Sequence, residues 1–264
     1  MFKVDAIAAF NDNYIWCISN TETHDAWVVD PGYAAPVLET LRREHLTLRG
    51  ILITHHHGDH VGGVSRLLES ADVPVYGPKN SPFKGASHYL EDGDTLALPG
   101  LTFHVLAVPG HTLDHIAYYC PQLDDAPALF CGDTLFACGC GRLFEGQPAQ
   151  MQASLAKLAA LPDATRVYCA HEYTLSNLRF ARAVLPEDQA LLAFESDCRK
   201  KRDAGQPTLP VTLGNEKQLN PFLRWGDNNL IQSAKTYAGD QGLAFSPDQA
   251  ASVFAVIRSW KDHF

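Results

Sequence analysis

The sequence predicts a mixed α/β domain over residues 1–172 followed by a smaller, mostly helical domain over residues 173–264. Three observations carry that reading. Short apolar runs punctuated by Gly and Pro fill the first two-thirds of the chain. A few helical stretches interrupt them. From Leu175 onward the period changes, and Leu178, Ala181, Val184 and Leu185 recur at helical spacing.

Taken in order, apolar runs predict strands at residues 4–9, 14–19 and 26–29. The amphipathic stretch at about 35–44 predicts a helix. A strand at 50–53, a helix at 61–70 and a strand at 74–76 follow. Strands are next expected at 95–98, 102–108, 116–120 and 128–131, then a helix at 149–161 and a strand at 166–169. Beyond Leu175, residues 188–202 and 247–259 read as helices, and Lys200-Lys201-Arg202 reads as a solvated helix end.

The 264 residues are 46% hydrophobic and 19% charged, close to the globular average, which excludes disorder, collagen and coiled coil as descriptions of the whole chain. A net charge of −9 gives no overall field for nucleic acid or anionic membrane, so an anionic ligand needs a local basic pocket. The start lacks the pattern of a secretory signal. The longest run free of Asp, Glu, Lys and Arg, residues 95–113, contains two prolines and two glycines and does not read as a membrane helix. Seven scattered cysteines, an odd number, read as reduced thiols of a cytoplasmic protein. Cys138-Gly139-Cys140 reads as small residues in a tight loop rather than a metal or redox pair.

Four of the twelve histidines fall within residues 55–60, His55-His56-His57-Gly58-Asp59-His60. In extended backbone His55 and His57 point the same way and can grip one ion, while His56 points elsewhere. Gly58 permits a turn, after which Asp59 and His60 can face a second ion. Imidazoles with a carboxylate suit zinc, and also iron or manganese. The placement recurs: apolar runs lead into His55, His111, Asp133 and His171 in turn, each at a strand end.

His-x-His-x-Asp-His resembles the signature of the metallo-β-lactamase superfamily, with His111, Asp133 and His171 following in its order. The resemblance implies a metallo-β-lactamase-like αββα sandwich followed by a helical domain. It implies that His55, His57 and His111 hold one metal, that Asp59, His60 and His171 hold the other, and that Asp133 bridges them. His115 lies outside this pattern.

The closer resemblance is to the hydroxyacylglutathione hydrolases, or glyoxalase II. It is carried by Asn11-Asp12-Asn13-Tyr14, Pro109-Gly110-His111-Thr112, Gly132-Asp133-Thr134, Gly139-Cys140-Gly141-Arg142, His171-Glu172-Tyr173, Asn220-Pro221-Phe222-Leu223-Arg224 and the final Arg258-x-x-Lys261-Asp262-x-Phe264. It implies hydrolysis of glutathione thioesters, typically S-D-lactoylglutathione to D-lactate and glutathione, as in methylglyoxal detoxification. It implies two divalent ions per chain, zinc foremost with iron or manganese as alternatives. A hydroxide held between them would attack the thioester, with Asp59 and Asp133 as the catalytic carboxylates. The glutathione-binding positions map onto Arg142, Tyr173, Arg258 and Lys261. The expected partner is this small-molecule substrate alone, with no nucleic acid or membrane and the chain acting as a monomer. Two departures stand out: Phe144 replaces a common tyrosine, and Asp114 replaces a common glycine, where aspartate tolerates a left-handed conformation. His56 is expected to orient a ligand or a loop. The rival readings are a phosphodiesterase of the same superfamily, a one-iron persulfide dioxygenase, and a metal-binding protein without catalysis.

Overall fold

The computed structural model describes every residue, Met1–Phe264. In chain order the elements are β1 (Phe2–Ala9), β2 (Asn13–Asn20), β3 (Asp25–Val29), α1 (Ala34–Arg43), β4 (Thr47–Leu52), α2 (Gly58–Val61), α3 (Val64–Leu68), β5 (Val75–Pro78), β6 (His88–Leu90), β7 (Thr95–Leu98), β8 (Leu101–Ala107), β9 (Ile116–Leu123) and β10 (Ala126–Gly132). They continue with β11 (Leu135–Phe136), β12 (Gly139–Cys140), α4 (Pro148–Ala159), β13 (Arg166–Cys169), α5 (Thr174–Val184), α6 (Gln189–Asp203), β14 (Val211–Thr212), α7 (Leu213–Leu219), α8 (Asn228–Gln241) and α9 (Ala250–Asp262). Two compact units interleave in sequence. Residues 1–107, 114–132 and 166–171 form the first, and residues 108–113, 133–165 and 172–264 the second.

In the first unit one sheet runs β1-β2-β3-β4-β5-β6, antiparallel from β1 to β3 and parallel from β3 onward. The second runs β13-β10-β9-β8-β7 and is antiparallel except for the β10–β13 pair. Alternation along β2 shows why the sheets stack. Ile15 and Cys17 join a core with Val37 and Leu41 of α1 and Val64 and Leu67 of α3. Trp16 points the opposite way. It meets Tyr168 of β13 edge-on at 4.9 Å and donates from Nε1 to the Cys169 carbonyl at 3.0 Å. Tyr118 of β9 likewise donates to the Ile53 carbonyl at 2.8 Å. Because β3 and β4 are parallel, as are β10 and β13, their C-terminal ends share an edge. Sites in sheets with parallel strands form there.

The expected helix at 61–70 is broken into α2 and α3. Gly63 lies so close to the preceding loop that a Cβ there would come within 2.5 Å of the Pro31 carbonyl. The turn is set by that approach.

In the second unit β11 and β12 form a short hairpin, α5 packs with α6, and α9 packs with α4 and α8. Its aromatic core stacks Phe180 on Phe222 (6.0 Å) and Tyr237 on Trp260 (4.8 Å). No helix is long and apolar enough to cross a membrane. All seven cysteines are buried and none is in a disulfide, and Cys138-Gly139-Cys140 is the turn and second strand of the hairpin.

Candidate metal centre

In the first unit the loop after β4 carries the histidine cluster, and its side chains converge. His55 Nε2 and His57 Nδ1 lie 3.1 Å apart. Asp59 Oδ2 lies 3.5 Å from both His60 Nε2 and His171 Nε2. Asp59, His60 and His171 thus offer three ligand atoms within 4.8 Å of one another. In the second unit His111 Nε2 and Asp133 Oδ2 are 3.4 Å apart.

Each imidazole presenting Nε2 is held through Nδ1. His55 Nδ1 contacts Thr54 Oγ1 (3.0 Å), His60 Nδ1 contacts Asp30 Oδ2 (3.0 Å), and His171 Nδ1 contacts Asp12 Oδ1 (2.8 Å). His111 Nδ1 donates to the Arg142 carbonyl at 2.8 Å. Metal-binding histidines are typically anchored this way, which fixes tautomer and ring direction. The donor set also fits an ion by size. Ligands about 2.0–2.1 Å from a tetrahedral ion lie roughly 3.3–3.4 Å apart, and the donor pairs here span 3.1–3.5 Å.

Burial alone would raise the Asp59 carboxyl, but hydrogen bonds with His171, His60 and Asn13 outweigh it and hold the group well below the usual carboxylate range. Asn13 Nδ2 donates to Asp59 Oδ2 at 2.9 Å. A permanently ionised carboxylate between two imidazoles is suited to a divalent cation.

Asp30, Asp12 and Thr54, which contact Nδ1 of His60, His171 and His55, were not picked out in the sequence as site residues. Asp30 is buried at the end of β3 with φ 53°, and it accepts from the Thr54 backbone N–H and from Thr54 Oγ1, both at 2.7 Å. The signal was available: an apolar strand leading into Asp30 repeats the placement seen at the other four strand ends. Gly132, at φ 47°, shows how tight this layer is, because a Cβ there would meet Thr54 Oγ1 at 2.4 Å and His115 Nε2 at 2.8 Å. His115 itself stacks on the His55 ring at 4.6 Å and packs behind it.

Asp114 differs from its expected backbone role. Its φ is not positive, so it replaces no left-handed glycine here. Its carboxylate instead contacts His56 Nδ1 (2.9 Å) and accepts from Ser81 Oγ (2.6 Å).

The residues expected to bind substrate lie in the second unit. Arg142 and Arg258 meet at Asp262, at 3.6 and 2.9 Å. Arg258 is buried, donates to the Cys140 carbonyl at 3.2 Å and lies over the Phe222 ring. It is therefore more committed to the fold than a solvated helix end would be. Lys261 lies over Phe180 at 5.0 Å, and Tyr173 packs edge-on to Phe136 at 5.3 Å.

Residues 21–171 match the family profile of the metallo-beta-lactamase superfamily, and residues 172–264 match that of the hydroxyacylglutathione hydrolase C-terminus. A hydroxyacylglutathione hydrolase of Hahella chejuensis is 52% identical over 264 residues, covering both chains completely. The chain belongs to the hydroxyacylglutathione hydrolase family. Among solved structures, ETHE1 from Myxococcus xanthus matches with a TM-score of 0.64 at 24% identity, over 99% of this chain and 98% of that one. TTHA1623, solved in a di-iron-bound form, matches with a TM-score of 0.58 at 26% identity, over 84% of this chain and all of that one. The fold of this hydroxyacylglutathione hydrolase family member, a metallo-β-lactamase domain followed by a helical region, is the one the sequence predicts.

Proposed function

We propose that the protein hydrolyses glutathione thioesters, typically S-D-lactoylglutathione to D-lactate and glutathione, in the cytoplasm. Two divalent ions serve the reaction, zinc foremost with iron or manganese as alternatives. His55, His57 and His111 hold one ion, Asp59, His60 and His171 the other, and Asp133 serves both. Residues 1–172 supply the catalytic domain and residues 173–264 most of the substrate contacts. The chain works as a monomer.

The observation that carries this reading is the anchoring of four imidazoles through Nδ1, which leaves four Nε2 atoms aimed for metal binding. Divalent ions held by these residues would supply a bound water with its pKa lowered toward about 7 and a Lewis acid for the carbonyl. The protein's own groups do the rest. Asp12, Asp30, Thr54 and the Arg142 carbonyl keep the rings from turning. Asp59 stays ionised and accepts from Asn13 Nδ2 at the same Oδ2 that faces His60 and His171. Water adds to the thioester carbonyl and releases a proton to solvent, the C–S bond breaks, and the sulfur leaves as thiolate with the hydroxy acid as co-product. With a thiol pKa of about 8.5, it departs without a dedicated acid.

Glutathione carries two carboxylates, and the acidic chain meets them with a local basic group. Arg142, Arg258 and Lys261 form it, with Tyr173 alongside. A matched pair of substrates tests this: S-D-lactoylglutathione and a small lactoyl thioester without the glutathione carboxylates. The reading expects efficient turnover of the first and poor turnover of the second. Equal turnover of both would contradict glutathione recognition.

A further inference from the structure

The hairpin β11–β12 stands between Asp133 and Arg142, and its tip is buried throughout. Its turn, Ala137-Cys138, places Cys138 at φ 55°, a conformation that few non-glycine residues adopt. Backbone groups buried there need partners other than water. Side chains from the helical region supply them. Cys138 N–H donates to Glu216 Oε2 at 2.9 Å, and Asn177 Nδ2 donates to the Ala137 carbonyl at 3.0 Å. Asn220 Nδ2 lies within hydrogen-bond distance of three acceptors, the carbonyls of Phe136 (3.1 Å) and Gly139 (2.8 Å) and Glu216 Oε2 (2.8 Å), which share its two N–H groups. Asn220 Oδ1 accepts from Phe222 N–H at 2.9 Å, which fixes the amide so that its nitrogen faces the hairpin. This gives the Asn220-Pro221-Phe222 motif a physical role.

What the hairpin holds in place is chemical. Gly141 N–H donates to the Thr134 carbonyl at 3.2 Å, next to Asp133. The Arg142 carbonyl anchors His111, and the Cys140 carbonyl receives Arg258. We propose that Glu216, Asn220 and Asn177 form a buried clamp that positions Asp133, the His111-anchoring carbonyl of Arg142 and Arg258 by fixing the turn of this hairpin. They are positioning residues, and Glu216 acts as a neutral hydrogen-bond acceptor. Its Oε1 is buried with no hydrogen-bond partner, a poor setting for a charge. Burial pushes its carboxyl up to about 8, above neutral pH. The role assigned to Asp133 and His111 rests on the function proposed above.

The test uses the full, zinc-loaded chain as Glu216→Gln, Glu216→Ala and Asn177→Ala. Three quantities are read: metal retention against a chelator, kcat and KM on S-D-lactoylglutathione, and the thermal midpoint. Glu216→Gln keeps an acceptor for Cys138 and Asn220, so metal retention and kcat stay within about twofold of the parent. Glu216→Ala loosens metal and lowers kcat by roughly 10- to 100-fold, the scale of lost ligand-orienting partners. Asn177→Ala removes a single bond and shifts both in the same direction by less, and it carries the test if Glu216→Ala fails to fold. Variants that melt earlier yet hold metal and turn over as the parent does would overturn the proposal, since the clamp would then serve stability alone. Equal damage from Glu216→Gln and Glu216→Ala would overturn the neutral-acceptor assignment. A parent that holds metal but leaves the thioester intact would overturn the proposed function, while chelator competition still decides on the clamp.

Discussion

The Nδ1 of His56 lies 2.9 Å from Oδ1 of Asp114, although the two are 58 residues apart in sequence. His56 is the one histidine of the motif whose ring faces away from the proposed ligand set, as the alternation of extended backbone requires. Asp114 makes that outward direction useful by tying the metal-binding loop to Ser81 through its other oxygen.

Asp114→Gly should therefore leave metal content unchanged and cost stability. Hydrogen bonds to a charged group contribute about 1.5–3 kcal/mol each, and the Asp114 side chain is only 4% exposed. A lowered thermal midpoint with full metal content by elemental analysis is the expected outcome. Lost metal would place Asp114 among the ligands.

Asp30→Ala removes the anchor of His60 and both bonds to Thr54, whose hydroxyl in turn contacts His55. Metal affinity should fall by roughly 10- to 100-fold, as for other ligand-orienting carboxylates. Chelator competition measures it. Unchanged affinity would mean that the buried carboxylate supports only the loop.

The proposed metal set was legible in the sequence because strand ends and the His-x-His-x-Asp-His spacing are local features. It did not show Asp30 as a partner of His60, because that contact depends on β3 lying beside β4. Helix α8 was missed because its stretch has few apolar residues. Its ends are instead set by the Asp227 side chain, which accepts from the Asn229 and Leu230 N–H groups, and by Gly242 at φ 63°. Helix α9 was visible, with Arg258 and Lys261 on it, but the burial of Arg258 follows from Cys140 and Phe222, far away in sequence.

Lys261 carries a pH dependence. Burial, reinforced by the Arg258 charge, lowers its ammonium from 10.5 to about 8. The cation that receives a substrate carboxylate is thus present below about pH 8 and lost above it. The kcat/KM for a glutathione thioester, which reports groups of the free enzyme, should decline as pH rises through that value. Lys261→Arg keeps its charge throughout and should abolish the decline. An identical profile for both proteins would remove Lys261 from the substrate contacts.

Glu216 predicts a stability difference of defined sign. Its carboxyl is raised from 4.5 to about 8, so the folded protein keeps a proton that the unfolded chain releases across that interval. The contribution is fully present below pH 4.5 and is lost as pH rises through about 8. The nearby thiols of Cys138 and Cys198, raised by burial, do not titrate in this window. Glu216→Gln removes the titration, so its thermal midpoint relative to the parent should rise between pH 4.5 and 8. A constant difference would show that Glu216 is ionised in the fold.

The central claim is that two ions and a glutathione thioester meet in this protein. Stepwise addition of zinc to the metal-free chain, with S-D-lactoylglutathione hydrolysis read at each step, tests it most directly. The account predicts that activity reaches its plateau at two bound ions per chain, and that Asp133→Ala binds less metal and stays nearly inactive. A plateau at one ion, full metal binding without Asp133, or a loaded protein that leaves the thioester intact would contradict it.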